Sequence, residues 1–206
     1  MPDITKRPRP RVESLSDLIF GLALSVCTIS LITRLPRAPV GILIDIAEFG
    51  FSFLILITVW VSYTSIMSVL PLEDGTTVLL NIVMLFLVAI EPYLFYLNAV
   101  FDLSDHQALV DAASTAYALD MAGLMTILAL FTHQLSLEER KLLSQDSIAK
   151  YKHIRDILLV SAALFAVTIL PIFWTLTLRG TPPRFYFWAA PLVLSSIRRV
   201  SERSTK

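Results

Sequence analysis

The chain has 206 residues, of which 55% are hydrophobic and 17% charged, with a mean hydropathy of +0.70 and a formal net charge of zero. Soluble domains carry about 25% charged residues, and here the apolar residues run in long blocks, so the composition excludes an ordinary soluble domain and makes lipid the solvent. Cys27 is the single cysteine, which excludes an intrachain disulfide. No phosphate-binding G-x-x-x-x-G-K-[ST], no H-E-x-x-H and no paired-cysteine motif occurs, so the sequence gives no basis for catalysis.

Residues 1–10 are polar and basic and hold Pro2, Pro8 and Pro10, a composition that predicts disorder. A first helix is predicted over 14–34, with Ser14 as N-cap and Asp17 three residues on, as in a capping box. No small-x-small cleavage site follows it, so it reads as a helix that stays. A second helix starts near Gly41 and has an uncharged run from Phe49 to Leu72. A third runs over 76–101 with an interruption at Glu91-Pro92. Asp102 to Asp111 reads as an acidic loop, and a fourth helix covers 109–136 with Asp120 inside it. Residues 137–155 are charged and read as a loop plus a helical extension of a fifth helix, Ile157–Leu178. A short sixth helix, 184–198, leans on Arg184 and Arg198 snorkelling toward the interfaces. The fold class is all-α, six membrane spans in one domain over 11–200, followed by a basic tail at 201–206.

Six spans put both termini on one side. That side, with the 2–3 and 4–5 connections, holds Lys6, Arg7, Arg9, Arg11, Arg140, Lys141, Lys150, Lys152, Arg155, Arg198, Arg199, Arg203 and Lys206, against Arg34, Arg37, Arg179 and Arg184 on the other. The positive-inside rule then places both termini in the cytoplasm.

The first helix carries the chemistry. At 100° per residue Ser14, Asp17, Gly21, Ser25, Thr28 and Ile32 share a stripe flanked by Leu18, Leu22, Val26 and Ile29. Small and hydroxyl residues allow close helix packing in a bilayer. Several copies around an axis would instead line a pore with an apolar ring and hydroxyl rings. Arg11 and Asp17 fit either interfacial roles or a buried network with the neighbouring helices, where Trp60 and Asn81 are the candidate partners.

Arg11-x-x-x-Leu15-Ser16-Asp17 resembles the R-x-x-x-F-S-D signature that opens helix one of the transmembrane protein 175 family, endolysosomal potassium channels and their prokaryotic relatives. Trp60-x-x-Tyr63 is similar to that family's helix-two W-x-x-H, and Asn81 through Pro92 to its helix-three N-L-L-F-L-L-x-x-x-x-P pattern. The resemblance implies a single-repeat prokaryotic member in the plasma membrane: a potassium-permeable channel without a selectivity-filter loop. It implies a homotetramer around helix one, no cofactor beyond the permeant ion, membrane lipids as surroundings and no nucleic-acid partner. Carried over by position, the constriction falls on Leu22, with further layers near Val26 and Ile29, and the potassium-favouring hydroxyl falls on Ser25; Thr28 offers a second hydroxyl layer. Arg11, Ser16, Asp17, Trp60 and Asn81 would form the network that holds helix one. The sequence departs from the pattern at Leu15, at Tyr63, which removes a network donor or a titratable group, and at Glu91, where an apolar residue is expected.

Two acids, Glu91 and Asp120, lie inside predicted spans, where a carboxylate faces protein or water. Glu91 reads as an acid bonded to a hydroxyl near the outer interface. For Asp120 that reading and a functional one stand level. Ion coupling by the two acids would make the chain a proton- or cation-coupled secondary transporter, with Glu91-Pro92 as the hint of a broken helix. A non-conducting membrane scaffold is the third alternative. His106, His133 and His153 are scattered and show no metal spacing.

Overall fold

The computed structural model describes residues 11–29, 31, 39–70, 75–100, 107–137, 145–175, 183–184, 186–189 and 191–192. They are all-helical, as predicted: α1 Arg11–Cys27, α2 Pro39–Met67, α3 Gly75–Val100, α4 Gln107–Leu135, α5 Gln145–Val167 and a single turn, α6 Ile172–Thr175. The terminal segments 1–10 and 201–206 lie outside the described residues, as do Arg198 and His106.

Helices α2, α3 and α4 are long and apolar enough to cross a membrane, and α1 is apolar over Ser14–Cys27. α1 is shorter than predicted. After Cys27 the backbone tightens, with Thr28 N–H donating to the Ser25 carbonyl at 3.2 Å, three residues back instead of four. α3 runs through the predicted interruption as one helix with Pro92 inside it. α5 begins at Gln145, so the predicted helical extension is part of the helix itself, and it ends at Val167. Residues 186–189 are helical and belong to the predicted sixth span.

α4 is the most deeply buried of the three long spans. It packs on α5, α3 and α2, while α1 lies against α3 and α2. The α3–α4 contact is close because of Gly123, where a Cβ would come within 3.0 Å of Leu87 Cδ1. An aromatic chain crosses the core, from Phe51 to Phe95 at 6.3 Å, Phe95 to Tyr117 at 5.8 Å and Tyr117 to Trp188 at 4.6 Å between ring centroids. Trp188 Nε1–H donates to Thr168 Oγ1 at 3.1 Å, fixing the C-terminal segment on the turn after α5. Arg184 does not snorkel: it is buried, and its guanidinium meets Asp111 Oδ1 at 3.3 Å. A charge in an apolar interior persists only with such a partner.

Candidate pore-lining helix and its anchors

The two faces of α1 differ in kind. Ser16, Phe20, Ala23 and Cys27, spaced four, three and four apart, are all buried against α2 and α3. Directly opposite, Leu18, Leu22 and Ile29 are 68%, 62% and 51% exposed, and Ser25 shares their side. Val26 and Leu15 flank this outward face, and Asp17, Gly21 and Thr28 lie along its other edge, all of them exposed. A Cβ at Gly21 would meet nothing within 4 Å, so this glycine allows no close approach inside the chain. Leu18, first read as flanking, is the most exposed large side chain of the helix.

The outward hydroxyls are bonded to their own helix. Ser25 Oγ donates to the Gly21 carbonyl at 2.8 Å and Thr28 Oγ1 to the Ser25 carbonyl at 2.6 Å. With the proton committed to backbone, each oxygen presents lone pairs outward, as an acceptor for a cation or water.

Two polar junctions fix the inward face. At the first, Tyr63 of α2 stands between Ser16 of α1 and Asn81 of α3, each oxygen 2.8 Å away and all three residues buried. The one phenol proton of Tyr63 points to two acceptors, Ser16 Oγ and Asn81 Oδ1. The Phe20 and Tyr63 rings pack beside this chain at 5.5 Å. At the exposed rim, Trp60 Nε1–H donates to Asp17 Oδ1 at 3.2 Å. Of the residues expected to hold helix one, Ser16 and Asn81 meet at Tyr63 and Asp17 meets Trp60, and two points differ from the expectation. Asp17 is exposed, not buried, and Tyr63 does not remove a link: it is the centre of the junction. The side chain of Arg11 lies outside the described residues.

The second junction joins the same three helices at the other end of α1. Ser52 of α2 donates to Glu91 Oε1 of α3 at 3.0 Å, and Cys27 Sγ of α1 lies 3.5 Å from Ser52 Oγ and 4.0 Å from Glu91 Oε2. Sequence reading expected a hydroxyl for Glu91 but did not find Ser52 or Cys27, which stand 39 and 64 residues away without a local signature.

The α3–α4 register places the acids. Thr77 bonds Gln134, Leu87 meets Gly123, Phe95 stacks near Tyr117 and Asn98 bonds Ser114, so each step forward on α3 is one step back on α4. Midway between the Leu87–Gly123 and Phe95–Tyr117 pairs, Glu91 stands opposite Asp120. Glu91 therefore lies level with the middle of α4, not at an interface, and both acids are buried. Among the described residues no group of three or more His, Cys, Asp or Glu could hold a metal ion.

A cavity of about 40 Å³ lies between α2, α4 and α5, lined by apolar residues such as Val59, Met125, Leu158 and Phe165. It has room for a water molecule or so and lies among helices other than α1.

Residues 11–92 match the family profile described as endosomal/lysosomal potassium channel TMEM175. The match covers α1, α2 and most of α3, the helices that meet at both junctions. Over nearly its whole length the chain also has the fold of two solved structures. One is a lysosomal potassium-selective channel TMEM175 homologue from Chamaesiphon minutus, at 19% identity and a TM-score of 0.55, covering 88% of this chain and 96% of that one. The other is the potassium channel MtTMEM175 as its T38A variant, crystallised with a nanobody–MBP fusion, at 18% identity and a TM-score of 0.63, covering 98% of each chain. No curated protein matches. The second half of the chain is thus tied to the TMEM175 architecture by fold, the first half by sequence as well.

Proposed function

We propose that this chain is a member of the TMEM175 family and one subunit of a potassium-permeable channel, whose pore runs between subunits along the outward face of α1. One observation carries the reading. α1 is locked to α2 and α3 by buried polar junctions at both ends of one face, while Leu18, Leu22, Ser25 and Ile29 on the other face touch nothing that buries them. A helix held that firmly and left open on one side is built to meet copies of itself, and four copies, as the family resemblance implies, close a ring. Leu22 then forms the apolar constriction, with Val26 and Ile29 as further layers, and such a ring gates by wetting and dewetting. Ser25 and Thr28 supply outward lone pairs that replace part of the hydration shell of potassium. The membrane is a prokaryotic plasma membrane, with both termini cytoplasmic as the charge distribution requires.

The secondary-transporter reading has less support, since α3 is continuous through Glu91-Pro92 and provides no broken helix at the midplane. Potassium flux from proteoliposomes, with a sodium-gradient control and single-channel recording in the same lipid, tests the proposal. Discrete steps reversing near the potassium potential are expected. Silence from protein shown by cross-linking to be monomeric would overturn a pore made from one helix per chain.

A further inference from the structure

Behind the pore-facing helix, the chain buries more acid than its hydrogen bonds account for. Asp120 is 4% exposed and Tyr117, one turn earlier on α4, is fully buried, yet neither carboxylate oxygen of Asp120 nor the Tyr117 hydroxyl has a partner among the described residues. Across the helix interface stands Glu91, whose Oε1 is held by Ser52. Two carboxyls facing each other in a membrane span are not both charged without a cation between them, and no third acid, His or Cys completes a metal site among the described residues. Buried oxygens left in this way are closed by internal water, which makes about three bonds in such places.

We propose that Glu91 and Asp120 form a water-bridged carboxyl pair across α3 and α4 that carries at most one negative charge, with the Tyr117 hydroxyl as a further bond to the internal water. The groups facing it are few. α1 contributes Cys27, α2 the Ser52 hydroxyl, and α4 Tyr117 and Asp120. The Trp188 ring covers Tyr117 from the C-terminal segment. The buried cation Arg184 is engaged with Asp111, nine residues or about 13 Å back along α4. Among the described residues no Lys or Arg acts on either acid, and a proton is the charge available to balance the pair. The site lies inside one subunit and does not depend on where ions pass.

Infrared spectroscopy of the purified protein in liposomes at neutral pH tests this, since a carboxylic acid C=O stretch is separate from carboxylate bands. The unaltered protein is expected to show a protonated carboxyl band that shifts slightly in D₂O. The paired variant Glu91→Gln with Asp120→Asn is expected to remove it, and Asp120→Asn alone to move what remains, because an amide then faces Glu91. Unaltered protein with no protonated carboxyl band overturns the proposal without recourse to any variant. A band that Asp120→Asn neither moves nor weakens, in protein of unchanged helicity and elution volume, overturns it as well, since the two acids would then not interact.

Discussion

The two ends of α1 are tied to the same two helices by different chemistry. Near the N-terminal end, Ser16, Tyr63 and Asn81 form a neutral chain of oxygen-to-oxygen bonds, each 2.8 Å long. Near the C-terminal end, the α1 partner is a thiol, 3.5 Å from Ser52 and 4.0 Å from Glu91, and a thiol is a weak donor and a weak acceptor. Both junctions are buried, so burial does not separate them; bond quality does. The first end is an anchor that sets the rotation of the helix about its own axis. The second is a looser tether at the point where the backbone tightens after Cys27. If α1 lines the proposed pore, this arrangement keeps Leu18 and Leu22 fixed and leaves most of the helix's freedom near Ser25 to Ile29.

By that asymmetry the anchor is the more costly end to damage. Tyr63→Phe keeps the ring packing against Phe20 but leaves the buried Asn81 oxygen without its donor, at a cost of about 1–3 kcal/mol. Cys27→Ala removes only the weak thiol contacts of the tether and leaves Ser52 bonded to Glu91, so it should cost less, about 0.5–1 kcal/mol. Unfolding of the two variants in mixed detergent, followed by helicity, ranks the ends. Equal losses would mean that both ends anchor alike.

The outward face gives the next effect in size. Leu22→Ala shortens the side chains of an apolar ring without touching either junction, so stability and assembly should hold while single-channel conductance rises several-fold. Leu18→Ala, one turn nearer the anchor, sharpens the comparison. A larger rise there than at Leu22 would move the constriction to the anchored end of α1.

Part of this site was legible in the sequence, Asp17 and Asn81 as polar residues in apolar helices and Ser16 and Trp60 through the family resemblance. Asp17 and Asn81 stand out because polar residues at those places in apolar runs need partners, and Trp60 and Tyr63 are the groups that bond them. Tyr63 was misread because a family position usually occupied by histidine suggested a lost donor, whereas the phenol reaches both neighbours at once. The tether escaped notice for another reason: Cys27, Ser52 and Glu91 are ordinary residues until three helices bring them together, and nothing local marks that meeting. The helix count and order follow from length and hydropathy, but the end of α1 does not. Its apolar run continues past Cys27, and the tightening there is a backbone event with no proline or glycine to announce it. The inward fold of Arg184 depends on Asp111, 73 residues away, and could only be guessed as snorkelling.

The smallest expected effect lies at the tethered end. Ser25 Oγ donates to the Gly21 carbonyl, so its proton is spent within the helix and its lone pairs remain for a passing ion. Ser25→Ala removes those lone pairs and frees a carbonyl that is already shared in the helical ladder, so α1 should stay folded. One hydroxyl per subunit is a weak ligand, and the loss in potassium-over-sodium preference should be about threefold, or about 0.6 kcal/mol. The reversal potential under bi-ionic conditions reads this directly. Ser25→Thr supplies the control, because it keeps the oxygen and its backbone bond and should keep the preference. If both variants shift the reversal potential equally, the methyl group and not the missing oxygen is responsible, and Thr28, whose oxygen is likewise bonded back to the helix and faces the same side of α1, becomes the layer that distinguishes the ions.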